Sequence, residues 1–313
     1  MRESEIISLF FRHLQKQGDL PLGDDAGAIR LDDEWLVATN DMLVRKTDVP
    51  DIMTPEQVGF KAVTMNVSDV AAMGARPVGF LFSLGIPDDL GAGYLEGVAK
   101  GIGKALDFYG VPVLSADTNE ADDLIIDGIA LGTTKKPLTR SGAKPGEIIC
   151  ATGDLGRALA GLLAWRKGLE ISPSLRRALY EKFLEPKARV REGMALNGIA
   201  SAAIDISDGL SKELHILSKM SNVGIEIYPN RLPIREEVFY VAKELGEDPV
   251  MLALASGEEF ELVFTLPEGF SEIPDFNCTP IGRTLKGGGV YITTEEKREE
   301  MPLLGWEHLA SHL

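Results

Sequence analysis

Short apolar runs typical of strands alternate with helical segments along most of the sequence. The runs are rich in aliphatic and β-branched residues and are bounded by turn residues. We predict strands at Glu34–Thr39, Gly79–Gly85, Pro112–Ala116, Leu124–Gly132, Ile148–Thr152, Ile225–Tyr228, Glu261–Thr265 and Gly289–Thr293. We predict helices at Glu3–Gln17, Pro55–Met73, Ala92–Tyr109, Arg157–Lys167, Ser174–Leu184 and after Asp208. This alternation predicts a mixed fold, α/β or α+β, with its layers arranged in two lobes.

One polar segment interrupts this pattern near the middle of the chain. Thr133–Glu147 reads TTKKPLTRSGAKPGE, and a composition rich in Pro, Gly and small polar residues is typical of linkers. The chain has 313 residues, and at roughly 100–200 residues per domain this length suits two domains. We therefore predict one domain over residues 1–136 and a second over residues 137–313.

The chain is strongly acidic, with 32 Lys and Arg against 48 Asp and Glu and a formal net charge of −16. A field of this sign repels phosphate backbones and anionic lipids, which argues against a nucleic-acid partner and against a membrane surface. No run of about 18 apolar residues is present, so no membrane span is predicted. The two cysteines, Cys150 and Cys278, form no C-x-x-C pair, and we expect reduced thiols in a cytoplasmic protein.

The helix predicted at Pro55–Met73 carries a carboxylate where an apolar side chain is expected. Its ends are well marked, because Thr54 suits the N-cap, Pro55 the first turn and Gly74 the C-terminal cap. One stripe recurs along it at spacings of three and four residues, through Val58, Ala62, Met65, Asp69 and Ala72. A buried, isolated carboxylate is costly unless a cation or hydrogen-bond donors compensate, so Asp69 is a candidate functional residue.

Aspartate recurs in short segments of similar character. There are five of them, GDDAG at Gly23–Gly27, TND at Thr39–Asp41, NVSD at Asn66–Asp69, SADT at Ser115–Thr118 and DISDG at Asp205–Gly209. TND, SADT and DISDG follow apolar runs, and we expect them at strand ends, where ligand crevices open. Each segment alone also fits a turn or a helix cap. Together, hard oxygen ligands without His or Cys suit Mg²⁺ or Mn²⁺ and are typical of phosphoryl transfer.

Two further features bear on phosphate binding. Arg140 in the linker offers a guanidinium group to phosphate oxygens, although a surface salt bridge fits equally well. The turn Gly153–Gly156 precedes a predicted helix and suits either a phosphate or a plain tight turn. The sequence contains no G-x-x-x-x-G-K-[ST] loop, no G-x-S-x-G elbow and no pair of histidines at metal-ligand spacing, which disfavours zinc hydrolysis and serine-esterase chemistry.

Several motifs, in this order, resemble those of the thiamine-monophosphate kinases, which belong to the aminoimidazole ribonucleotide synthetase superfamily. They are GDDAG, NVSDVAAMGA, the pair Asp117-Thr118, LTRSGAKPGE, AIDISDGL and ASGEEFEL. The resemblance runs from Gly23 to Trp306 and implies an N-terminal mixed-sheet α/β domain, which binds ATP and Mg²⁺ and forms a homodimer, followed by a C-terminal α/β domain. It implies ATP-dependent phosphorylation of thiamine monophosphate to thiamine diphosphate by direct in-line transfer, with several Mg²⁺ ions between the lobes.

The same resemblance implies roles for single residues, with Asp69 and Asp208 central to catalysis. The implied metal ligands are Asp25, Thr39, Asn40, Asp41, Asp69, Asp117, Asp205 and Asp208. The implied ATP contacts are Ala116, Asp117, Arg140 and Ser207. The implied substrate contacts are Asp48, Glu258 and Trp306, and here the indole of Trp306 suits stacking on the cationic thiazolium while Glu258 could add a counter-charge.

Two positions depart from the family pattern. Asp48-Val49 stands where members often carry His-Phe, and Ala116 replaces a glycine of the usual Gly-Gly-Asp. These departures leave open an ATP-using member of the same superfamily with a different acceptor. A non-catalytic protein that binds a Mg·nucleotide is a further alternative, although the aspartates of all five segments are present.

Overall fold

The computed structural model describes residues 3–14, 18–20, 23–267, 269 and 276–307. Its elements in chain order are α1 (Glu3–Phe11), β1 (Gly27–Leu31), β2 (Glu34–Val44), α2 (Arg45–Asp48), α3 (Pro55–Ala72), β3 (Arg76–Ile86), α4 (Ala92–Tyr109), β4 (Val113–Glu120), β5 (Ile125–Thr134), β6 (Ile148–Thr152), α5 (Arg157–Arg166), α6 (Pro173–Leu184), α7 (Val190–Leu196), β7 (Ala202–Asp205), α8 (Leu210–Ser221), β8 (Gly224–Ile227), a short 3₁₀ helix (Pro229–Arg231), α9 (Glu236–Leu245), α10 (Pro249–Ala255), β9 (Leu262–Leu266), β10 (Cys278–Leu285), β11 (Val290–Thr293) and β12 (Arg298–Glu300).

The predicted mixed α/β architecture is confirmed. Within the described residues the strands form a five-stranded sheet in the order β1-β2-β5-β3-β4 and a seven-stranded sheet in the order β12-β11-β8-β10-β6-β9-β7. The first sheet is antiparallel except for the parallel pair β3–β4, and the second is antiparallel except for the parallel pair β8–β11. The described part of the chain is therefore built on two mixed sheets.

Helix α3 lies where the two sheets meet. It packs on α4 and on strands β2, β3 and β5 of the first sheet, and it also contacts β7 and α7, which follow the linker. Phe60, Val63 and Val67 of this helix are fully buried, together with Phe80 of β3. Because one helix contacts both sheets, polar side chains at its C-terminal end lie between them.

The predicted ends of α3 are confirmed. Thr54 accepts a hydrogen bond from the backbone N–H of Gln57, whose side chain accepts one from the backbone N–H of Thr54, and Pro55 occupies the first turn. The helix ends at Ala72 with Met73 as its cap, and Gly74 follows with φ +63°. Such a left-handed residue, which favours glycine, turns the chain into β3. On the predicted stripe Val58, Ala62 and Ala72 are buried, whereas Met65 and Asp69 are partly buried.

The expectation that three aspartate segments stand at strand ends is wrong for two of them. Asn40 and Asp41 lie inside β2, which stays paired with β5 as far as Val44, and Asp117 lies inside β4, which stays paired with β3 as far as Glu120. Pairing with a long neighbouring strand carries the backbone past the polar residues, because tertiary context outweighs local strand propensity. Asp205 does end its strand, β7.

Helix α1 and the two cysteines can also be compared with their predictions. Helix α1 ends at Phe11, short of the predicted Gln17, which lies outside the described residues. Cys150 is fully buried in β6, and both cysteines are free thiols. Among the helices that the structure describes, none has both the length and the apolar character needed to cross a membrane.

Candidate active site

Three carboxylates from distant parts of the chain meet where the sheets adjoin. Asp25 lies in the loop before β1, Asp69 on the C-terminal half of α3, and Asp205 at the end of β7. One carboxylate oxygen of each lies within 4.8 Å of the others. We call Asp25, Asp69 and Asp205 the acidic cluster. Over the described part of the chain, Asp41, Asp117 and Asp208 do not belong to this group.

Hydrogen bonds hold two members of the acidic cluster in position. The Thr39 hydroxyl donates to Asp69 Oδ2 at 2.6 Å, and the Ser68 hydroxyl donates to Asp205 Oδ2 at 2.6 Å. Asp25 Oδ2 and Asp205 Oδ1 are buried and find no hydrogen-bond partner among the described residues. The cluster therefore has oriented carboxylates with acceptor oxygens left over.

The electrostatics of the acidic cluster disfavour its full negative charge. Burial raises the pKa of Asp69 well above 3.8, and the nearby charges of Asp41, Asp205 and Asp25 raise it further. Burial likewise raises the pKa of Asp205, with Asp25 as the next cause. Carboxylates that repel one another in a low-dielectric site bind a proton or a cation to relieve the repulsion. An all-oxygen donor set of this kind fits Mg²⁺ or a similar hard divalent cation.

Strand β2 divides the predicted ligands Thr39, Asn40 and Asp41 between its two faces. Successive side chains of a strand point to opposite faces, so Thr39 and Asp41 share a face that Asn40 does not. Thr39 is buried against Asp69, the backbone N–H of Asp41 donates to Asn66 Oδ1 at 2.9 Å, and Asn40 is exposed. The structure therefore brings Thr39 to the acidic cluster and leaves the Asn40 side chain on the far face.

Arg140 is tied to the GDDAG segment. Its Nη2 lies 2.7 Å from Asp25 Oδ1, its Nη1 donates to the Gly23 carbonyl at 3.0 Å, and its backbone N–H donates to Asp24 Oδ1 at 2.6 Å. Although burial disfavours its charge, the ion pair with Asp25 raises the pKa of Arg140. A guanidinium group thus borders the acidic cluster. Its ion pair with Asp25 is largely buried, so it is not a surface salt bridge, and its partner is itself a site residue.

Asp208 and Trp306 lie together, beside α8. Lys212 forms an ion pair with Asp208 at 2.5 Å and also donates to the Trp306 carbonyl at 3.0 Å. The backbone N–H of Trp306 donates to the Asp208 carbonyl at 2.9 Å, and Trp306 itself is 45% exposed. Glu213, which is almost fully buried, accepts a hydrogen bond from the backbone N–H of Asp208, and burial raises the pKa of this carboxyl well above 4.5. The Trp306 backbone is thereby anchored next to Asp208, and the residue remains accessible.

Glu258 contacts Ser207 directly and is linked to Asp48 through one lysine. The backbone N–H of Glu258 donates to the Ser207 carbonyl at 2.6 Å. Lys61 of α3, only 1% exposed, forms an ion pair with Glu258 and donates to the Asp48 carbonyl at 2.9 Å. The Asp48 carboxylate itself accepts from the backbone N–H of Val44 at 2.7 Å. The predicted substrate residues Asp48 and Glu258 are therefore linked, but by the Asp48 backbone.

Ala116 and Asp117 lie on the exposed edge strand β4, where every residue is exposed. Ala116 contributes to a groove of about 430 Å³ between α4 and the sheet, lined mainly by aliphatic side chains such as Leu84, Leu95 and Ile102. Ala116 and Asp117 are therefore predicted site residues that do not belong to the acidic cluster of this chain.

Four residues of this region, Lys61, Ser68, Lys212 and Glu213, were not among the predicted site residues. A signal for Lys61 was present, because a lysine within the apolar run Gly59–Thr64 of a packed helix requires a partner once it is buried. Lys212 stands four residues after Asp208, the spacing of a helical ion pair. Ser68 and Glu213 carried no comparable signal, since their partners become neighbours only in the folded chain.

The chain matches two family models in succession. Residues 23–134 match the N-terminal domain of AIR synthase related proteins, and residues 144–295 match their C-terminal domain. The thiamine-monophosphate kinase of Pyrococcus horikoshii is 53% identical over 99% of this chain and 96% of its own length. The thiamine-monophosphate kinase of Methanocaldococcus jannaschii is 34% identical over 88% of each chain.

Solved structures agree with the family models. AaThiL complexed with AMPPCP and TMP superposes with a TM-score of 0.89 at 32% identity, over 98% of this chain and 97% of that one. The hydrogenase maturation protein HypE of E. coli superposes with a TM-score of 0.74 at 21% identity, over 98% of each chain. The second similarity is one of fold alone.

Proposed function

This chain belongs to the thiamine-monophosphate kinase family of AIR synthase related proteins, and we propose that its acidic cluster is the centre of phosphoryl transfer from ATP to thiamine monophosphate. The activity is that of an ATP-dependent kinase that converts thiamine monophosphate to thiamine diphosphate. The observation that carries the assignment of the site is the acidic cluster itself, with two buried carboxylate oxygens left without partners among the described residues.

The transfer step requires charge neutralisation and alignment. A phosphate oxygen of thiamine monophosphate forms a bond to the γ-phosphorus of ATP, the bond from that phosphorus to the β–γ bridging oxygen breaks, and ADP leaves with the electron pair. We propose that Asp25, Asp69 and Asp205 hold Mg²⁺, with Thr39, Asp41, Asp117 and Asp208 as further ligands from the family pattern. Bound Mg²⁺ would screen the negative charge of the phosphate oxygens.

The other residues bind and orient the two substrates. We assign the phosphates of ATP to Arg140 and Ser207 directly and to Asp117 through a bound cation. We assign the base of ATP to the apolar groove that Ala116 lines, because a flat aromatic ring suits an aliphatic wall. Trp306 is accessible and anchored beside Asp208, which supports stacking of its indole on the thiazolium ring. The Asn40 side chain faces away from the acidic cluster, so only the backbone of Asn40 remains as a candidate metal ligand.

The proposed assembly is a homodimer built on the first domain, residues 1–136. Strand β4 is an exposed edge of the first sheet, and Val113 and Leu114 on it are 52% and 54% exposed. Edge strands with apolar side chains favour pairing with another chain. Light scattering should therefore give twice the mass of one chain, and a monomer at micromolar concentration would contradict this assembly.

We also propose a cytoplasmic location, because both cysteines are free thiols, one of them fully buried in a strand. Free thiols persist in a reducing compartment. Recovery of the protein in a membrane or secreted fraction would contradict this location.

The decisive experiment is an acceptor assay. The purified protein with ATP and Mg²⁺ should release ADP only when thiamine monophosphate is present, and thiamine diphosphate should form in equal amount. Free thiamine and other phosphorylated heterocycles serve as matched acceptors. ADP release with a different acceptor, and none with thiamine monophosphate, would assign the chain to another reaction of the superfamily.

A further inference from the structure

The buried lysine of α3, Lys61, forms an ion pair with Glu258 and so alters how that carboxylate can bind a substrate. Lys61 is 1% exposed, and its ammonium group forms an ion pair with Glu258 through the carboxylate oxygen Oε1, while the Glu258 side chain remains 41% exposed. A buried ammonium group requires such a partner, because desolvation of an unpaired charge is costly. The charge of Glu258 is therefore already offset within the protein.

Two further hydrogen bonds and the local backbone geometry hold this pair in one place. Lys61 also donates to the Asp48 carbonyl, which ties it to the end of α2. Glu258 has φ +55°, and its backbone N–H donates to the Ser207 carbonyl at 2.6 Å. A Cβ at the preceding Gly257 would lie 2.9 Å from that same carbonyl oxygen, so only glycine allows the close approach. Lys61 thus links Asp48, at the end of α2, through Glu258 to the Ser207–Asp208 segment.

We propose that Lys61 is a positioning residue that turns Glu258 into a hydrogen-bond acceptor for the aminopyrimidine ring of thiamine monophosphate, rather than a counter-charge for its thiazolium ring. With Oε1 held by Lys61, the other carboxylate oxygen is left to accept from the exocyclic amino group. A carboxylate shared with a lysine has little net attraction for a second cation, whereas its capacity to accept a directed hydrogen bond is kept. This inference rests on the proposed function.

The two roles of Glu258 predict opposite effects for Lys61→Met. Methionine fills the place of the apolar lysine stem, and Glu258 is exposed enough to be hydrated when the ammonium group is lost. Loss of positioning should raise KM for thiamine monophosphate about tenfold, with KM for ATP and kcat changed less than twofold. Lys61→Arg should restore part of the loss, and Lys100→Met, which removes a surface lysine paired with Glu96, should match the wild type. A counter-charge role would instead lower KM, because the carboxylate is freed.

A substrate pair tests the same point without disturbing Lys61. Oxythiamine monophosphate carries an oxo group in place of the amino group and keeps the thiazolium ring. The wild type should prefer thiamine monophosphate, whereas Glu258→Gln, which presents an amide N–H₂ beside an oxygen still held by Lys61, should shift the preference at least about tenfold toward the oxo compound. If Glu258 acted as a counter-charge, Glu258→Gln would raise KM for both substrates by the same factor, because both are cationic.

These readouts separate the inference from the proposed function. If the wild type forms no thiamine diphosphate, the proposed function fails, and this inference fails with it. If the wild type forms the product but Lys61→Met has the wild-type KM, or Glu258→Gln leaves the substrate preference unchanged, only this inference is overturned. Thermal melting of each variant reports whether it is folded, and Glu258→Gln provides the test should Lys61→Met not fold.

Discussion

Two buried clusters of carboxylates in this molecule are built on opposite plans. In the acidic cluster Asp25, Asp69 and Asp205 face one another, and Arg140 is paired with Asp25. In the second cluster, which we call the ionic cluster, Glu261 lies 2.5 Å from Lys182 and 2.6 Å from Arg189, and it accepts from the Thr152 hydroxyl at 2.6 Å. Both clusters lie in the interior. In the ionic cluster two cations contact one central carboxylate, whereas in the acidic cluster three carboxylates share one neighbouring cation, Arg140.

The pKa values of the two clusters shift in opposite directions for this reason. Burial alone would raise the pKa of Glu261, but Lys182 and Arg189 outweigh it and lower the pKa to about 2. Burial and neighbouring carboxylates raise the pKa of Asp69 and Asp205 well above 3.8. Burial acts in the same direction on all three carboxyls, so the sign of the nearest charges decides the direction in which each pKa shifts.

The contrast also explains the Gly153–Gly156 turn. The backbone N–H groups of Gly156 and Ala158, at the start of α5, donate to Glu259 Oε1 at 2.8 and 3.2 Å. A protein carboxylate thus occupies the place that a phosphate would take at this helix start, which supports the interpretation as a plain turn. The charges of Glu261, Lys182 and Arg189 are paired within the protein, whereas we propose that the acidic cluster takes up a cation.

The largest expected effect is on turnover through the acidic cluster. Asp69→Asn should lower kcat about 10³-fold, because one ligand charge opposite the phosphates is lost, and Asp208→Asn should act in the same direction. Asp69→Asn should also raise the melting temperature of the metal-free protein, since a repelling charge is removed. Asp107→Asn, an exposed aspartate of α4, is the control. A rate within tenfold of the wild type would make Asp69 a structural residue.

The ionic cluster should show the reverse behaviour. Glu261→Gln leaves Lys182 and Arg189 short of a buried counter-charge and should destabilise the fold by about 3 kcal/mol, measured by urea unfolding. The matched control is Glu299→Gln, whose partner Lys297 lies 2.8 Å away at the surface and whose loss should change stability by less than about 1 kcal/mol. Equal effects of the two substitutions would remove the distinction between the clusters.

The smallest expected effect is a pH dependence of opposite sign in the two clusters. Asp69 and Asp205 have raised pKa values when folded, so their contribution is full below pH 3.8 and is lost as the pH rises through the higher folded values. Glu261 has a lowered pKa, so its contribution is present above pH 4.5 and is lost as the pH falls toward 2. In EDTA, stability should fall with rising pH above about 4, by at most ~1.4 kcal/mol per unit for each titrating group.

Magnesium provides the control for this pH dependence. A cation held by the acidic cluster should flatten the fall above pH 4 and leave the fall below pH 4.5 unchanged, because the ionic cluster binds no metal in this scheme. Melting temperatures from pH 3 to 9, in EDTA and in Mg²⁺, measure both limbs. An identical curve in both solutions would mean that the acidic cluster holds no Mg²⁺.

Local patterns were sufficient for the secondary structure that carries the site. Thr54 and Pro55 marked the start of α3, and the extents predicted at Ala92–Tyr109 and Ile148–Thr152 match α4 and β6. Strand ends were harder to predict, because β2 and β4 continue along their neighbours past polar residues that alone would end a strand. Pairing partners are set by tertiary contacts, which a local pattern does not contain.

By itself, the sequence determined the mixed α/β class, the ordered aspartate motifs and the resemblance to a kinase family, because each of these is written in neighbouring residues. Only the tertiary structure decided which aspartates meet, that Asn40 faces away, and that Lys61 neutralises Glu258. These outcomes depend on contacts between residues up to about two hundred positions apart and on the loss of water around them. The charge of a carboxyl group in the folded protein depends on the side chains around it. Here those side chains become neighbours only once the two sheets have packed around α3.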